Sequence, residues 1–410
     1  MDFRLSTVDE AFRGEVRCFL AGALPPDFAG FEEESAESKD YWALSRELSR
    51  RLASRGWLAP GWPPEYGGVN ASAREQWVLA EELGYHAAPF YNRTVSIIGS
   101  VLMNFGTPEQ KARFLSAIGR GEVEFCVGLT EPEHGSDLAG VQCWAEETAG
   151  GGFVLSGQKI YSSNAHHADF CMLLARTDAQ ASRHRGLSLF IVDMKARGLE
   201  VCPLVNSLGI HCFNQIFFDG VAVPWEGLVG GEPGHGWHQI VYSLNHERTV
   251  HAAGIARAAL YRRTLDDLMV YIGGQEHPAE GLGVRPSALS SGWIGGQRAI
   301  PSCGLRGGVV TAEMRGKLAA LATEVEVFRL LSWRIALMQV RGLIPEWEAA
   351  MTKLFGSRLM GRLASLWVEA QGLWAGGGRP QVGGAGGTHR AHATLLSGGD
   401  HRWRHTGSAA

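Results

Sequence analysis

The chain has 410 residues, more than one hydrophobic core accommodates, so two or three domains are expected. With 45% hydrophobic and 20% charged residues and a formal charge of −4, it has an ordinary globular composition and no general electrostatic case for nucleic acid or a membrane surface. The seven cysteines are scattered without a Cys-x-x-Cys pair, which excludes a zinc ribbon and argues for reduced thiols. Met1–Ser6 shows no basic segment leading into an apolar one, and no apolar run reaches membrane-spanning length. A cytoplasmic protein with no membrane or nucleic-acid partner is expected.

Residues 1–120 read as an all-helical domain. From Ser38 to Ser54 apolar residues recur at helical spacing (Leu44, Leu48, Leu52), and Gly56 is placed to end the run. Trp57–Gly68 is dense in Pro, Gly and aromatic residues and reads as a loop. A second helix is expected from Glu75 to Leu83. A third carries its own punctuation, with Thr107 as N-cap, Pro108 first, Glu109 next and Gly119 at the end. Over residues 121–230 the period shortens to two. Val123–Leu129, Phe153–Ile160, Phe170–Leu174, Leu187–Val192 and Gln215–Val221 read as strands of an antiparallel β-domain, a sandwich or barrel. Over 231–375 helix returns as a C-terminal bundle. Trp237, Ile240, Leu244, Glu247 and His251 fall on one stripe, while Leu318, Leu321, Val325 and Phe328 form a core stripe. Leu354, Leu359, Leu363 and Leu366 belong to another. The fold class is α+β, helical at both ends with a β-domain between, and 376–410 is a Gly/His/Arg-rich tail expected to be poorly ordered.

Two features carry chemistry. Glu247, on an apolar stripe, must be buried, partnered or facing a cavity. It is either half of a helix–helix salt bridge or a carboxylate made more basic by desolvation, suited to removing a weakly acidic C–H proton. The second feature is Leu129-Thr-Glu-Pro-Glu-His-Gly-Ser-Asp-Leu-Ala-Gly140. Pro132 stiffens a turn there, Gly135 opens the backbone to close approach, and Thr130 and Ser136 supply hydroxyls. The run Gly157-Gln-Lys-Ile-Tyr-Ser-Ser-Asn164 follows, bringing Tyr161 and Ser163. An aromatic face, hydroxyls and an opened backbone suit a planar polar ring such as a flavin. They suit equally an ordinary turn between two strands.

These paired runs resemble those of the acyl-CoA dehydrogenase family, which carries Thr-Glu-Pro-x-x-Gly-Ser-Asp and, about twenty residues on, Gly-x-Lys-x-(Trp/Tyr)-(Ile/Ser)-(Thr/Ser)-Asn. The resemblance runs from about Trp57 to Gly273 and more thinly from Met314 to Gly372. It implies an FAD enzyme that introduces a double bond between the α and β carbons of an acyl-CoA. It also implies an electron-transfer flavoprotein as acceptor, and a homodimer, a homotetramer or a heterotetramer with a related subunit. Val127, Leu129, Thr130, Gly135, Ser136, Tyr161 and Ser163 match flavin-contact positions, and Ser136 and Leu244 positions toward the acyl-CoA. Asn245-His-Glu-Arg-Thr249 matches the segment that holds the base in the isovaleryl-CoA and long-chain branches, so Glu247 maps to the catalytic base and Arg248 to the CoA contact. Other branches place the base in a Glu-Gly-Thr segment, which this chain lacks.

The resemblance fails in two places. Where the family has an Arg-x-x-Phe-Gly run reaching a neighbouring subunit's flavin, this chain has a Gly/Ser/Pro-rich stretch from Gly273 to Gly308. The tail from Gly376 is also foreign, and His389, His392, His401 and His405 follow no common ligand spacing, so no metal is expected. For one permitted set of codons, Gly399–Ala409 re-read one nucleotide out of phase gives Ile-Thr-Gly-Gly-Gly-Thr-Gln-Glu-Val-Gln, close to the family's C-terminal signature. The tail then reads as a frameshifted family terminus, and sequencing the coding DNA tests it: the shifted frame must continue as a helix-forming family end. The competing functions are a non-catalytic or FAD-poor partner subunit and an oxygen-using relative, an acyl-CoA oxidase or flavin monooxygenase.

Overall fold

The computed structural model describes residues 5–25, 28, 39–89, 94–181, 183–206, 209–247, 254–273, 312–341, 343 and 345–370, with backbone alone at a few helix ends. The foreign stretch 274–308, the four tail histidines and the out-of-phase segment lie outside them. In chain order the helices are α1 (Thr7–Ala23), α2 (Lys39–Ala53), α3 (Ala73–Tyr85), α4 (Ser100–Phe105), α5 (Pro108–Gly119), α6 (Gly236–Glu247), α7 (Ile255–Gly273), α8 (Ala312–Val340) and α9 (Glu346–Ala370). The strands are β1 (Phe125–Gly128), β2 (Trp144–Glu147), β3 (Phe153–Ser163), β4 (Phe170–Arg176), β5 (Leu187–Asp193), β6 (Leu199–Val205) and β7 (His211–Val223). Two compact units interleave in sequence: Met1–Ser35, Ser72–Phe90 and Thr249–Ala410 form one, Ala36–Ala71 and Tyr91–Arg248 the other.

The first unit is helical. α1 and α3 both begin on capping boxes, Ser6 with Asp9 and Ser72 with Glu75, each satisfying two backbone donors that a helix start leaves free. Its core joins Ala258, Tyr261, Leu265 and Leu268 of α7, Leu321, Val325 and Phe328 of α8, and Leu359, Leu363 and Leu366 of α9. A buried ion network ties α1 and α8 to α3. Glu81 accepts from Arg13 (2.7 Å), Arg329 (3.0 Å) and the Trp333 indole (2.9 Å), and Glu82 accepts from Arg17 (2.9 Å). The expected core residue Leu354 is instead 54% exposed. It precedes Leu359 by five positions, which turns it about 140° away from the Leu359–Leu363–Leu366 stripe.

In the second unit the sheet runs β1-β4-β2-β3-β7-β6, with β5 paired to β4. Pairing is mostly antiparallel, but β1 joins β4 in parallel (Cys126 opposite Cys171), and β2 meets β4 at one parallel bridge, Trp144 with Arg176. β4 and β5 are buried on both faces, which explains their nearly continuous apolar sequence. On one side Ile98, Leu102, Leu115, Ile118 and Ile240 pack on Met172, Leu174, Leu189 and Ile191. On the other, Leu155, Cys171, Leu173, Phe190, Ile216 and Val221 close a second core. α5 has the predicted Thr107 cap and Pro108 start. β2 and β6 were not among the expected strands: one is four residues long, the other carries Pro203 and alternates weakly.

Candidate active site

The Leu129–Gly140 loop leaves the end of β1 and is pinned to β3 from below. Lys159 sits at an inward position of β3 with no exposed surface. Its ammonium donates to the Leu129 carbonyl at 3.0 Å and to Glu131 Oε1 at 2.8 Å. Glu131 is itself buried and also accepts from the Gln142 N–H (2.7 Å) and the Cys143 N–H (2.8 Å). Burial pushes the Glu131 carboxyl up, but the Lys159 charge and hydrogen bond and the two backbone donors outweigh it and hold it below its ordinary range. A buried carboxylate with three hydrogen-bonded contacts of this kind is a rigid anchor. Above it, the Ile160 N–H donates to Thr130 O at 2.8 Å, and Glu131 and His134 exchange two backbone bonds of 3.1 Å each that close the turn. Arg176 holds the far end, donating to Ala139 O (2.8 Å) and Val141 O (3.2 Å).

Tyr161 stands beside this loop on a β-bulge. Lys159 pairs with Ile216 and Ser162 with Asn214, so β3 carries one residue more than β7 across that interval. Tyr161 has φ +61° and is 62% exposed. A non-glycine residue in the left-handed region that also shows an aromatic ring to solvent is strained and exposed at once, a combination that marks functional surfaces. Gly135 adds to the opening. Its φ is not positive, and a Cβ there would meet nothing nearer than the Thr130 methyl at 3.9 Å, so the fold itself does not require glycine. At Gly128 the reverse holds: a Cβ would press on Cys171 Sγ at 3.0 Å and Leu173 at 3.1 Å.

The structure therefore places Val127 near the end of β1 and Leu129 just past it, Thr130 where its carbonyl meets the Ile160 N–H, and Tyr161 and Ser163 at the end of β3, with exposed Gly135 and Ser136 further along the loop. Leu244 of α6 is half-buried against the same apolar cluster as Val127 and Leu129. Glu247 is the last residue of α6, three beyond Leu244, and only its backbone is described; Arg248 and His251 lie outside the described residues. Glu131 and Lys159 stood in the quoted motifs without a role. The available signal was a lysine at an inward-facing strand position, where a buried partner is obligatory. Among the described residues no cluster of His, Cys, Asp and Glu could hold a metal ion, and no helix is long and apolar enough to cross a membrane. An exposed aromatic on a bulge, free hydroxyls at Thr130 and Ser163, and an uncrowded glycine fit a planar, polar cofactor such as FAD.

The N-terminal, middle and C-terminal domain models of acyl-CoA dehydrogenases match residues 6–122, 126–221 and 310–375. Acyl-CoA dehydrogenase FadE26 of Mycobacterium tuberculosis is 30% identical over 89% of this chain and 85% of its own length. Acyl-CoA dehydrogenase FadE29 of the same organism is 34% identical over 63% of this chain; that match spans 65% of FadE29, just under two thirds. Among solved structures, the Tcur3481-Tcur3483 steroid ACAD superposes with a TM-score of 0.75 at 30% identity, covering 97% of this chain and 94% of that one. The ChsE4-ChsE5 complex from Mycobacterium tuberculosis gives 0.74 at 28% identity, with the same coverage.

Proposed function

Because the chain belongs to the acyl-CoA dehydrogenase family, whose members are FAD-dependent oxidoreductases, we propose that it catalyses α,β-dehydrogenation of an acyl-CoA thioester to the 2-enoyl-CoA. The observation that carries this reading is the strained, exposed Tyr161 beside a loop anchored by the Glu131–Lys159 pair. FAD, when bound, supplies the two-electron acceptor. Thr130, Tyr161 and Ser163 form the face that receives it, with Val127 and Leu129 behind and Gly135–Ser136 giving the backbone room. Ser136 and Leu244 line the way to the acyl group, and Arg248 meets the CoA portion. Glu247 is the general base that takes the α-proton, a role supported by its position at the end of α6 and by the Asn-His-Glu-Arg segment.

Glu247→Gln tests this. Turnover should fall by about a hundred- to ten-thousandfold while FAD binding is kept, the expected range for losing a positioned base. Retained turnover would reject the assignment. The proposed electron acceptor is an electron-transfer flavoprotein, so reduced protein should reoxidise rapidly with that partner and slowly with oxygen. Two solved relatives, the Tcur3481-Tcur3483 steroid ACAD and the ChsE4-ChsE5 complex, are each named for two components. They favour assembly with a related subunit, or a symmetric oligomer, over a monomer, and they suggest steroid-derived thioesters among the substrates to assay.

A further inference from the structure

Behind Tyr161 lies a cluster with no part in the chemistry above. Asn214 of β7 is fully buried, and its amide meets three partners. Nδ2 donates to the Ser162 carbonyl at 3.1 Å and lies 3.1 Å from His166 Nδ1, while Oδ1 lies 2.8 Å from His211 Nε2. The Ser162 carbonyl can only accept, so the amide nitrogen must face it and the amide cannot be turned over. The second amide hydrogen then points at His166 Nδ1, which must keep its lone pair, and His211 must carry its proton on Nε2. His166 is thus held as the neutral Nε2–H tautomer. Its ring stacks on His211 (centroids 4.1 Å apart, 24° between planes) and lies 4.0 Å from that of His167, which packs on Trp42 at 4.3 Å.

Protonating His166 at Nδ1 would set one N–H against another and place a cation between two imidazoles. The Asn214–Ser162 bond secures the carbonyl next to Tyr161, and Phe213, beside Asn214, meets the Tyr161 ring edge-on at 6.3 Å. We infer that Asn214 positions Tyr161, and that the histidines it ties together form an acid-sensitive latch on the flavin-facing bulge. The inference rests on the reading of that bulge as the flavin face.

The charged surroundings agree. His167, from the same short turn, and His211, from β7, act on His166 against a further positive charge, and His211 and Arg46 of α2 act likewise on His167. Glu124, just before β1, interacts with Arg46 and Asp169, and it hydrogen-bonds Thr94 rather than a histidine. β6 brings only Pro203 and Leu204 opposite Asn214 and Phe213, and β1 is uncharged. Burial first, then His167 and His211, press the His166 ring down to about 4. A histidine depressed in the folded state contributes stability that is complete above its unfolded value, about 6.5. That contribution is lost as pH falls from there toward about 4.

The test follows amide hydrogen exchange of residues 160–165, corrected for intrinsic rates, between pH 7.5 and 4.5, together with FAD release by ultrafiltration. The wild-type chain should lose protection and flavin as pH drops below about 6.5. His166→Asn keeps an acceptor for the Asn214 amide but cannot take a proton, and should hold both to a pH lower by about one unit. Asn214→Leu should weaken FAD binding roughly tenfold at pH 7.5, the loss of one or two buried hydrogen bonds. Identical acid profiles for wild type and His166→Asn would overturn the latch, and unchanged FAD affinity in Asn214→Leu would overturn the positioning role. A chain that takes up no FAD at any pH would count against the proposed function, while the exchange profiles, which need no flavin, still decide the latch.

Discussion

At the scale of single residues, the Glu131–Lys159 pair shows how a short motif becomes a surface. Lys159 is wholly buried and Glu131 nearly so, and the lysine and two backbone N–H groups hold the Glu131 carboxyl below its ordinary range. Lys159→Met leaves Glu131 buried and unpaired. It should cost about 3–5 kcal/mol, read by urea denaturation, and should release the Leu129 carbonyl. Because the Glu131 carboxyl is depressed in the folded state, its contribution is present above its unfolded value and vanishes as pH falls through the folded one. Acid should therefore narrow the gap between wild type and Lys159→Met, and a gap constant down to pH 3 would contradict this. The double substitution Glu131→Leu with Lys159→Met should recover part of the loss, since an apolar pair replaces a stranded charge.

At the scale of elements, α3 is held by polar contacts as much as by apolar ones. Glu81 alone joins Arg13 of α1 with Arg329 and Trp333 of α8. Glu81→Ala strands the Trp333 indole N–H and takes one carboxylate from Arg13 and Arg329, which keep Glu82 and Glu326, and should lower the stability of the helical unit by about 1–3 kcal/mol. Leu359→Ala, in the core, should cost about 2–5 kcal/mol, whereas Leu354→Ala, on the exposed side of α9, should stay within about 0.5. Equal losses at the two leucines would put Leu354 back in the core. These contrasts mark what could be read in the sequence and what could not. The α5 boundaries were legible because Thr107, Pro108 and Gln110 act within one turn. β4 and β5 were legible because burial on both faces leaves continuous apolar runs. β6 was hidden because Pro203 and weak alternation resemble a loop, and Leu354 was misplaced because a leucine near a stripe is not on it. The Glu81 network, the Glu131–Lys159 pair and the Asn214 latch join residues far apart in sequence, and no local period encodes such partners.

At the scale of the whole molecule, the family motifs and the α+β architecture agree, and the proposed flavin face is the β3 bulge with its adjoining loop. The assignment of Glu247 as base joins these to a reaction. The most direct measurement is the visible spectrum of the purified chain before and after anaerobic addition of straight-chain, branched and steroid-derived acyl-CoAs. The account predicts a yellow protein whose flavin bands bleach with at least one thioester, and a Glu247→Gln variant that stays yellow and does not bleach. A wild-type protein that takes up no FAD, or a flavin that no thioester in the panel reduces, would contradict it.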